Sequence, residues 1–130
     1  MSVKQLAPVG WGVVGCGWVA RDYVAPAIAA SANGRLVALC DVNEQALAAV
    51  QPADTALRRT TSLADFVRTP GLQAVYVATP NAHHAHLVQA LAAAGLPVLC
   101  EKPLARTAAE AADMVAAAEA AGTLLATAFD

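Results

Sequence analysis

Lys102 carries the most direct chemical potential in this sequence. It lies in Cys100-Glu101-Lys102-Pro103-Leu104, straight after a short apolar run. An ammonium group held at such a place can hydrogen-bond a substrate hydroxyl and shuttle its proton. The neighbouring Glu101 allows a second reading, an ion pair that only supports the loop. A further polar segment, Ala78-Thr79-Pro80-Asn81-Ala82-His83-His84, also follows an apolar run. Polar groups at the edge of buried strands need partners or a task, because Lys and Glu are rarely buried unpaired. The third feature is the turn Gly15-Cys16-Gly17-Trp18-Val19-Ala20, of the form G-x-G-x-x-A. Its chemistry is anion binding. Gly15 permits a tight turn, Gly17 lets the backbone approach a pyrophosphate, and Ala20 is small enough for a helix to pack on its strand. The start of that helix offers free N–H groups to phosphates. Asp41 follows Ala20 at about the 20-residue interval where the dinucleotide fingerprint places an acid for a ribose hydroxyl.

These groups converge only if the intervening elements alternate, and the patterning says that they do. Strands are expected at residues 11–14, 36–40, 56–58, 74–78, 98–100 and 123–127. A helix over 18–30 would turn Val19, Tyr23, Ala27 and Ala30 to one face, with Pro26 bending or ending it. A small helix over 43–50 would bury Ala46, Leu47 and Val50 and stop at Pro52. Ser62 opens a short helix as a capping acceptor. A helix over 82–94 has Asn81 as its N-cap candidate and Gly95 as its stop. Thr107 and Glu110 have the capping-box form, and the helix they open would run to about Ala121 and turn Ala111, Met114, Val115 and Ala118 inward. The strands are short and nearly continuously apolar, as in a parallel sheet buried on both faces. Right-handed crossovers then give an α/β, doubly wound, mostly parallel sheet of six strands, flanked by helices on both faces: the Rossmann dinucleotide-binding fold. One domain over residues 1–130 is expected. Its ligand crevice lies outside the carboxyl ends of the strands, where the glycine turn and both polar segments fall.

Composition narrows the function classes. Of the 130 residues 58% are apolar and only 14% charged, with a net charge of -2. No basic patch is available for a phosphate backbone, so nucleic-acid binding is not expected. No apolar run approaches the roughly 18 residues of a membrane span. Residues 1–6 lack the apolar core of a signal peptide, and the expected location is cytoplasmic. Cys16, Cys40 and Cys100 cannot all pair with one another and show no metal-ligand spacing, so reduced apolar thiols are expected. His83 and His86 share a helix face at i, i+3, but solvated side chains are favoured over a metal site, and no metal is predicted. His84 joins Leu87, Val88 and Leu91 in a stripe facing the sheet. It is either satisfied at the core edge or exposed to the crevice. Trp18 is either plain packing or a lid over a bound cofactor.

Taken in order, the glycine turn, Asp41, Ala78-Thr79-Pro80-Asn81 with His84, and Glu101-Lys102-Pro103 resemble the nucleotide-binding half of the glucose–fructose oxidoreductase, inositol 2-dehydrogenase and rhizopine-catabolism (Gfo/Idh/MocA) family. The resemblance covers essentially the whole chain. It implies that Gly15, Cys16, Gly17, Trp18 and Val19 wrap a pyrophosphate and that Asp41 holds the adenosine ribose. It implies that Thr79, Pro80, Asn81 and His84 line the crevice near the nicotinamide ribose, that Glu101 contacts or orients groups there, and that Lys102 is the active-site lysine. Pro103 is a candidate for a cis peptide bond. Asp41 would accept from a ribose 2′-OH and repel a 2′-phosphate, and Val42, Asn43 and Glu44 add no cation. NAD(H) is therefore expected over NADP(H). The implied activity is hydride transfer between a sugar or polyol hydroxyl or carbonyl and a nicotinamide cofactor. Family members carry a second domain that supplies the substrate pocket, further catalytic residues and most contacts of a homo-oligomer. That domain is expected to be absent from these 130 residues. The alternative is a stand-alone, non-catalytic dinucleotide-binding or interaction module.

Overall fold

The computed structural model describes residues 6–51 and 56–129. Residues 1–5, Pro52 as a helix stop and Asp130 therefore lie outside the described residues. The strands are β1 (Val9–Val14), β2 (Gly34–Cys40), β3 (Arg58–Thr60), β4 (Ala74–Val77), β5 (Val98–Glu101) and β6 (Leu125–Ala128). They form one sheet in the order β3-β2-β1-β4-β5-β6, and every pairing is parallel. The chain starts mid-sheet, runs outward to β3, then returns to lay β4 on the other side of β1. A crevice opens where the winding reverses, above the ends of β1 and β4.

The helices are α1 (Ala25–Ala30), α2 (Glu44–Ala49), α3 (Leu63–Phe66), α4 (His84–Ala93) and α5 (Ala108–Ala121). On one face Phe66 of α3, Leu87, Val88 and Leu91 of α4 and Met114 of α5 pack on Val14, Val75, Val77, Val98 and Cys100. On the other, Ala20, Ala25, Leu47 and Val50 pack on Val13 and Leu39. Burying a Val or Leu side chain stabilises by about 1.5–3 kcal/mol, which makes these two clusters the main support of the strand ends. Gly12 lets α3 come close: a Cβ there would stand 2.4 Å from the Phe66 ring. Caps hold the helix starts. Asn43 accepts from the Gln45 and Ala46 N–H groups, Ser62 from Asp65 and Thr107 from Glu110.

Three local expectations need correction. Residues 18–30 are helical throughout, but Ala20–Val24 form a π turn that runs into α1. The Ala25 N–H reaches the Ala20 carbonyl, five residues back. The wider turn removes the clash that Pro26 would make with the carbonyl four residues before it. It also adds a residue to the helical repeat, so the inward face is Ala20, Val24, Ala25 and Ile28, while Tyr23, Ala27 and Ala30 are exposed. Asn81 does not cap α4. It opens a 3₁₀ turn, Asn81–His83, and the N-cap position falls on His83 without a side-chain bond. Val115 is 42% exposed, because α5 meets its neighbours along the narrower stripe of Met114 and Ala118. Among the described residues, no helix is long and apolar enough to cross a membrane.

Candidate functional site

The glycine turn is fastened to its surroundings through its backbone. Gly15 has φ +94°, and a Cβ there would stand 2.6 Å from the Thr79 nitrogen and 2.7 Å from the Ala78 carbonyl carbon. Both the left-handed conformation and the packing exclude a side chain. The Gly15 N–H donates to the Cys40 carbonyl at 2.8 Å, and the Ala78 N–H donates to the Val14 carbonyl at 2.8 Å. The ends of β2, β1 and β4 are thereby tied together. Gly17 differs, since a Cβ there would meet nothing within 4 Å. Its missing side chain leaves open space beside an exposed backbone. Ala20 is fully buried against Val13 and Leu39, as its small size requires.

Asp41 is a brace as well as a ribose candidate. One carboxylate oxygen accepts from the Cys16 N–H at 2.7 Å, and the other accepts from the Asn43 N–H at 2.8 Å. Each oxygen keeps a further lone pair for a ligand hydroxyl. Motif spacing did not reveal the link to Cys16, because it joins residues 25 apart. The three cysteines are free and buried. Burial first, then the Asp41 charge, pushes the Cys16 thiol up to about 12 and Cys40 to about 11. Burial and the Glu101 charge push Cys100 to about 12. All three stay protonated near neutrality and offer no thiolate nucleophile.

On the β4–β5 side, His84 is buried at 1% exposure. Its Nδ1 lies 2.9 Å from the Pro103 carbonyl oxygen and 3.2 Å from that of Leu104, and its Nε2 lies 3.0 Å from the Thr79 carbonyl oxygen. The ring joins the loop after β4 to the loop after β5 from beneath the crevice. The Lys102–Pro103 peptide bond is cis. Lys102 is exposed and Glu101 half-buried. The Glu101 carboxylate accepts from the Tyr76 hydroxyl, a partner that the motif did not suggest. Pro80 and Asn81 are exposed. The Thr79 Oγ1 is buried with no hydrogen-bond partner.

A cavity of about 460 Å³ lies at the winding reversal, lined by Val14, Gly15, Cys40, Asp41, Val42, Thr61, Leu63, Thr79, Pro80, His83, His86 and Leu87. Ligand pockets occupy roughly 300–1,000 Å³. Gly15, Asp41, Thr79 and Pro80 thus line one cavity. Cys16, Gly17, Trp18 and Val19 continue the turn beside it, while Asn81, His84, Glu101 and Lys102 lie outside the lining. Trp18 is 62% exposed and meets Tyr23 edge-on at 5.8 Å between ring centres. It is not a core residue. Sequence reasoning missed Val42, Thr61, Leu63 and Leu87 as lining residues, and read His83 and His86 as merely solvated. Their i, i+3 spacing did place them on one face, and the rings meet edge-to-face at 5.5 Å. Among the described residues, no group of three or more His, Cys, Asp or Glu could hold a metal ion. The groups present fit a dinucleotide: a threonine hydroxyl without a protein partner, carboxylate lone pairs able to accept, and open space over Gly17.

Comparison with known proteins gives a consistent picture. Residues 9–129 match the model of the GFO_IDH_MocA oxidoreductase family, with its NAD-binding Rossmann fold. A 1,5-anhydro-D-fructose reductase from Ensifer adhaerens is 38% identical over 117 residues, 90% of this chain and 35% of the relative. An inositol 2-dehydrogenase from Gluconacetobacter diazotrophicus is 37% identical over 118 residues, with 90% and 35% covered. The chain therefore spans about a third of the length of these relatives. Among solved structures, the WlbA dehydrogenase from Bordetella pertussis, in complex with NADH and UDP-GlcNAcA, superposes with a TM-score of 0.85 at 33% identity, over 94% of this chain and 35% of that one. The KijD10 3-ketoreductase from Actinomadura kijaniata, in complex with TDP-benzene and NADP, gives 0.80 at 25%, over 92% and 37%.

Proposed function

This chain belongs to the Gfo/Idh/MocA oxidoreductase family, with its NAD-binding Rossmann fold, and on that premise we propose that its 460 Å³ crevice binds NAD(H) as the cofactor half of a sugar or polyol dehydrogenase. The observation that carries this reading is the lining of one cavity by Gly15, Asp41 and Thr79, the last with a buried hydroxyl that has no partner in the protein. An unsatisfied buried hydroxyl costs about 1–3 kcal/mol, and a ligand that hydrogen-bonds it recovers that cost.

The bound cofactor supplies the hydride chemistry, and this chain's residues supply grip and proton handling. The backbone around Gly17 receives the pyrophosphate, because no side chain stands over it. Asp41 accepts from ribose hydroxyls with the lone pairs left after bracing Cys16 and Asn43. Thr79 donates to a polar group of the ligand, with Pro80 and Asn81 beside it. Lys102 hydrogen-bonds the substrate oxygen and takes or returns its proton. Glu101, held by Tyr76, contacts or orients groups there. His84 fixes the two loops that carry these groups. NADH is favoured over NADPH because Asp41 is the only charged residue among the described lining residues, and it repels a 2′-phosphate.

Calorimetric titration tests the reading. NADH should bind in a one-to-one ratio and more tightly than NADPH. Tighter NADPH binding would reverse the cofactor assignment, and binding of neither would remove the function. The second reading is a non-catalytic binding module. Turnover by the 130-residue chain on a panel of polyols distinguishes the two.

A further inference from the structure

Tyr76 makes a polar contact that neither the glycine turn nor the polar loops foretell. Its hydroxyl donates to the Glu101 carboxylate. The register explains the meeting. Tyr76 on β4 stands opposite Leu99 on β5, and Glu101 lies two residues beyond Leu99, so the three side chains share one face of the sheet. The glycine turn packs on that same face: Tyr76 and Ala78 join Cys16 and Ala20 in one apolar cluster. Tyr76 also lines a groove of about 360 Å³ with Trp11, Tyr23, Val24 and Leu99. A half-buried ring confined in this way gives its hydroxyl a fixed place.

The crevice thus carries a carboxylate at each end, and the two are fixed by different means. Asp41 follows β2 and is held by two backbone N–H groups. Glu101 ends β5, and its longer side chain has more rotamer freedom to lose when a ligand binds. The Tyr76 bond takes up part of that loss in advance. One phenol fills one of about four acceptor positions on a carboxylate, which leaves capacity for a ligand donor. Position identifies the donor. The sheet order runs β2-β1-β4-β5 across the crevice. A dinucleotide with its adenosine ribose at Asp41 and its pyrophosphate over Gly17 lays its second nucleoside over the ends of β4 and β5. Resting on that dinucleotide reading, we propose that Tyr76 is a positioning residue, which holds the Glu101 carboxylate in place to accept a hydrogen bond from the nicotinamide nucleoside.

The test is calorimetric titration of the full chain, Tyr76→Phe, Glu101→Gln and the double variant. The probes are NADH and ADP, which lacks the nicotinamide nucleoside. Phenylalanine keeps the ring and its apolar contacts, so the thermal transition of Tyr76→Phe should match that of the parent. Tyr76→Phe should lose about 5-fold in affinity for NADH and stay within about 2-fold of the parent for ADP. Glu101→Gln should lose at least as much for NADH and also spare ADP. The double variant should lose no more than Glu101→Gln alone, because Tyr76 acts through Glu101. A hydroxyl with only a structural role would weaken both probes alike or neither, and either result overturns the proposal. Losses that add in full in the double variant overturn it too, since Tyr76 would then act without Glu101. Equal parental affinity for NADH and ADP overturns it while leaving the grip at Asp41 and Gly17 intact. Failure of the parent to bind either probe instead defeats the dinucleotide reading on which the proposal rests.

Discussion

The two sides of the crevice are built by different means. On the β1–β2 side, almost everything is backbone. Gly15, Cys16 and Asn43 each donate an N–H, and one carboxylate with one carbonyl receives all three. On the β4–β5 side, the chemistry sits on side chains. Asn81 and Lys102 are exposed, and Thr79 has no partner for its hydroxyl. The shared support there is the buried imidazole of His84, which meets three backbone carbonyls. On the proposed gripping side these backbone donors are thus satisfied before any ligand arrives. The proposed reacting side keeps the Thr79 hydroxyl unspent, as a site must if it is to gain from binding. Substitutions should therefore damage folding and binding together on the first side, and separate them on the second.

Gly15→Ala should have the largest effect. The left-handed conformation and a Cβ at 2.6 Å from the Thr79 nitrogen should together cost about 3 kcal/mol, read as a lower denaturant midpoint, and NADH binding should be lost. A variant of parental stability would show that the two strand ends are not locked as described. Asp41→Asn comes next. Its amide would turn an NH₂ group toward the N–H of Cys16 or of Asn43, at a cost of about 2 kcal/mol. NADH affinity should fall, and the preference over NADPH should shrink. Loss of affinity with full stability would make Asp41 a ligand group and not a brace.

Across the crevice, Thr79→Val should part the two readouts. The valine has nearly the same shape and removes an unsatisfied hydroxyl, so stability should hold or rise slightly, while NADH affinity falls about 10-fold. A clear stability loss would mean that the hydroxyl has a protein partner. Lys102→Met should change least. Cofactor affinity should stay within about 2-fold, because the role proposed for the lysine is toward substrate oxygen and not the dinucleotide. A 10-fold loss would move Lys102 to the gripping side and dissolve the contrast.

What could be read from the sequence was local. The six strands, the caps at Asn43, Ser62 and Thr107, and the compact positions of Gly15 and Ala20 follow from residue type and spacing within a few positions. The cis Lys102–Pro103 bond was suggested by the family resemblance. What escaped was set by partners distant in sequence. The π turn arises where Pro26, the packing of Ala20 and Ala25, and the sheet beneath have to be reconciled. The Asp41–Cys16 link spans 25 residues and the His84–Pro103 link 19. The placement of Val115 depends on which stripe of α5 its neighbours meet. Nothing near Thr79 in the chain announces that its hydroxyl will be buried alone. Periodicity put His83 and His86 on one face of their turn, but only the sheet order puts that face in the crevice wall.

Trp18, standing beside Gly17 with its indole largely in solvent, has an optical consequence. Indole emission overlaps the absorption band of reduced nicotinamide and not that of the oxidised form. A chain that held NADH near this turn would be quenched in proportion to occupancy, and NAD⁺ would leave it bright. Trp18→Phe would show how much of that signal belongs to the turn and how much to Trp11. On the proposed binding of a dinucleotide at this turn, the residue next to Gly17 would make the chain its own fluorescent gauge of cofactor redox state, with no label attached.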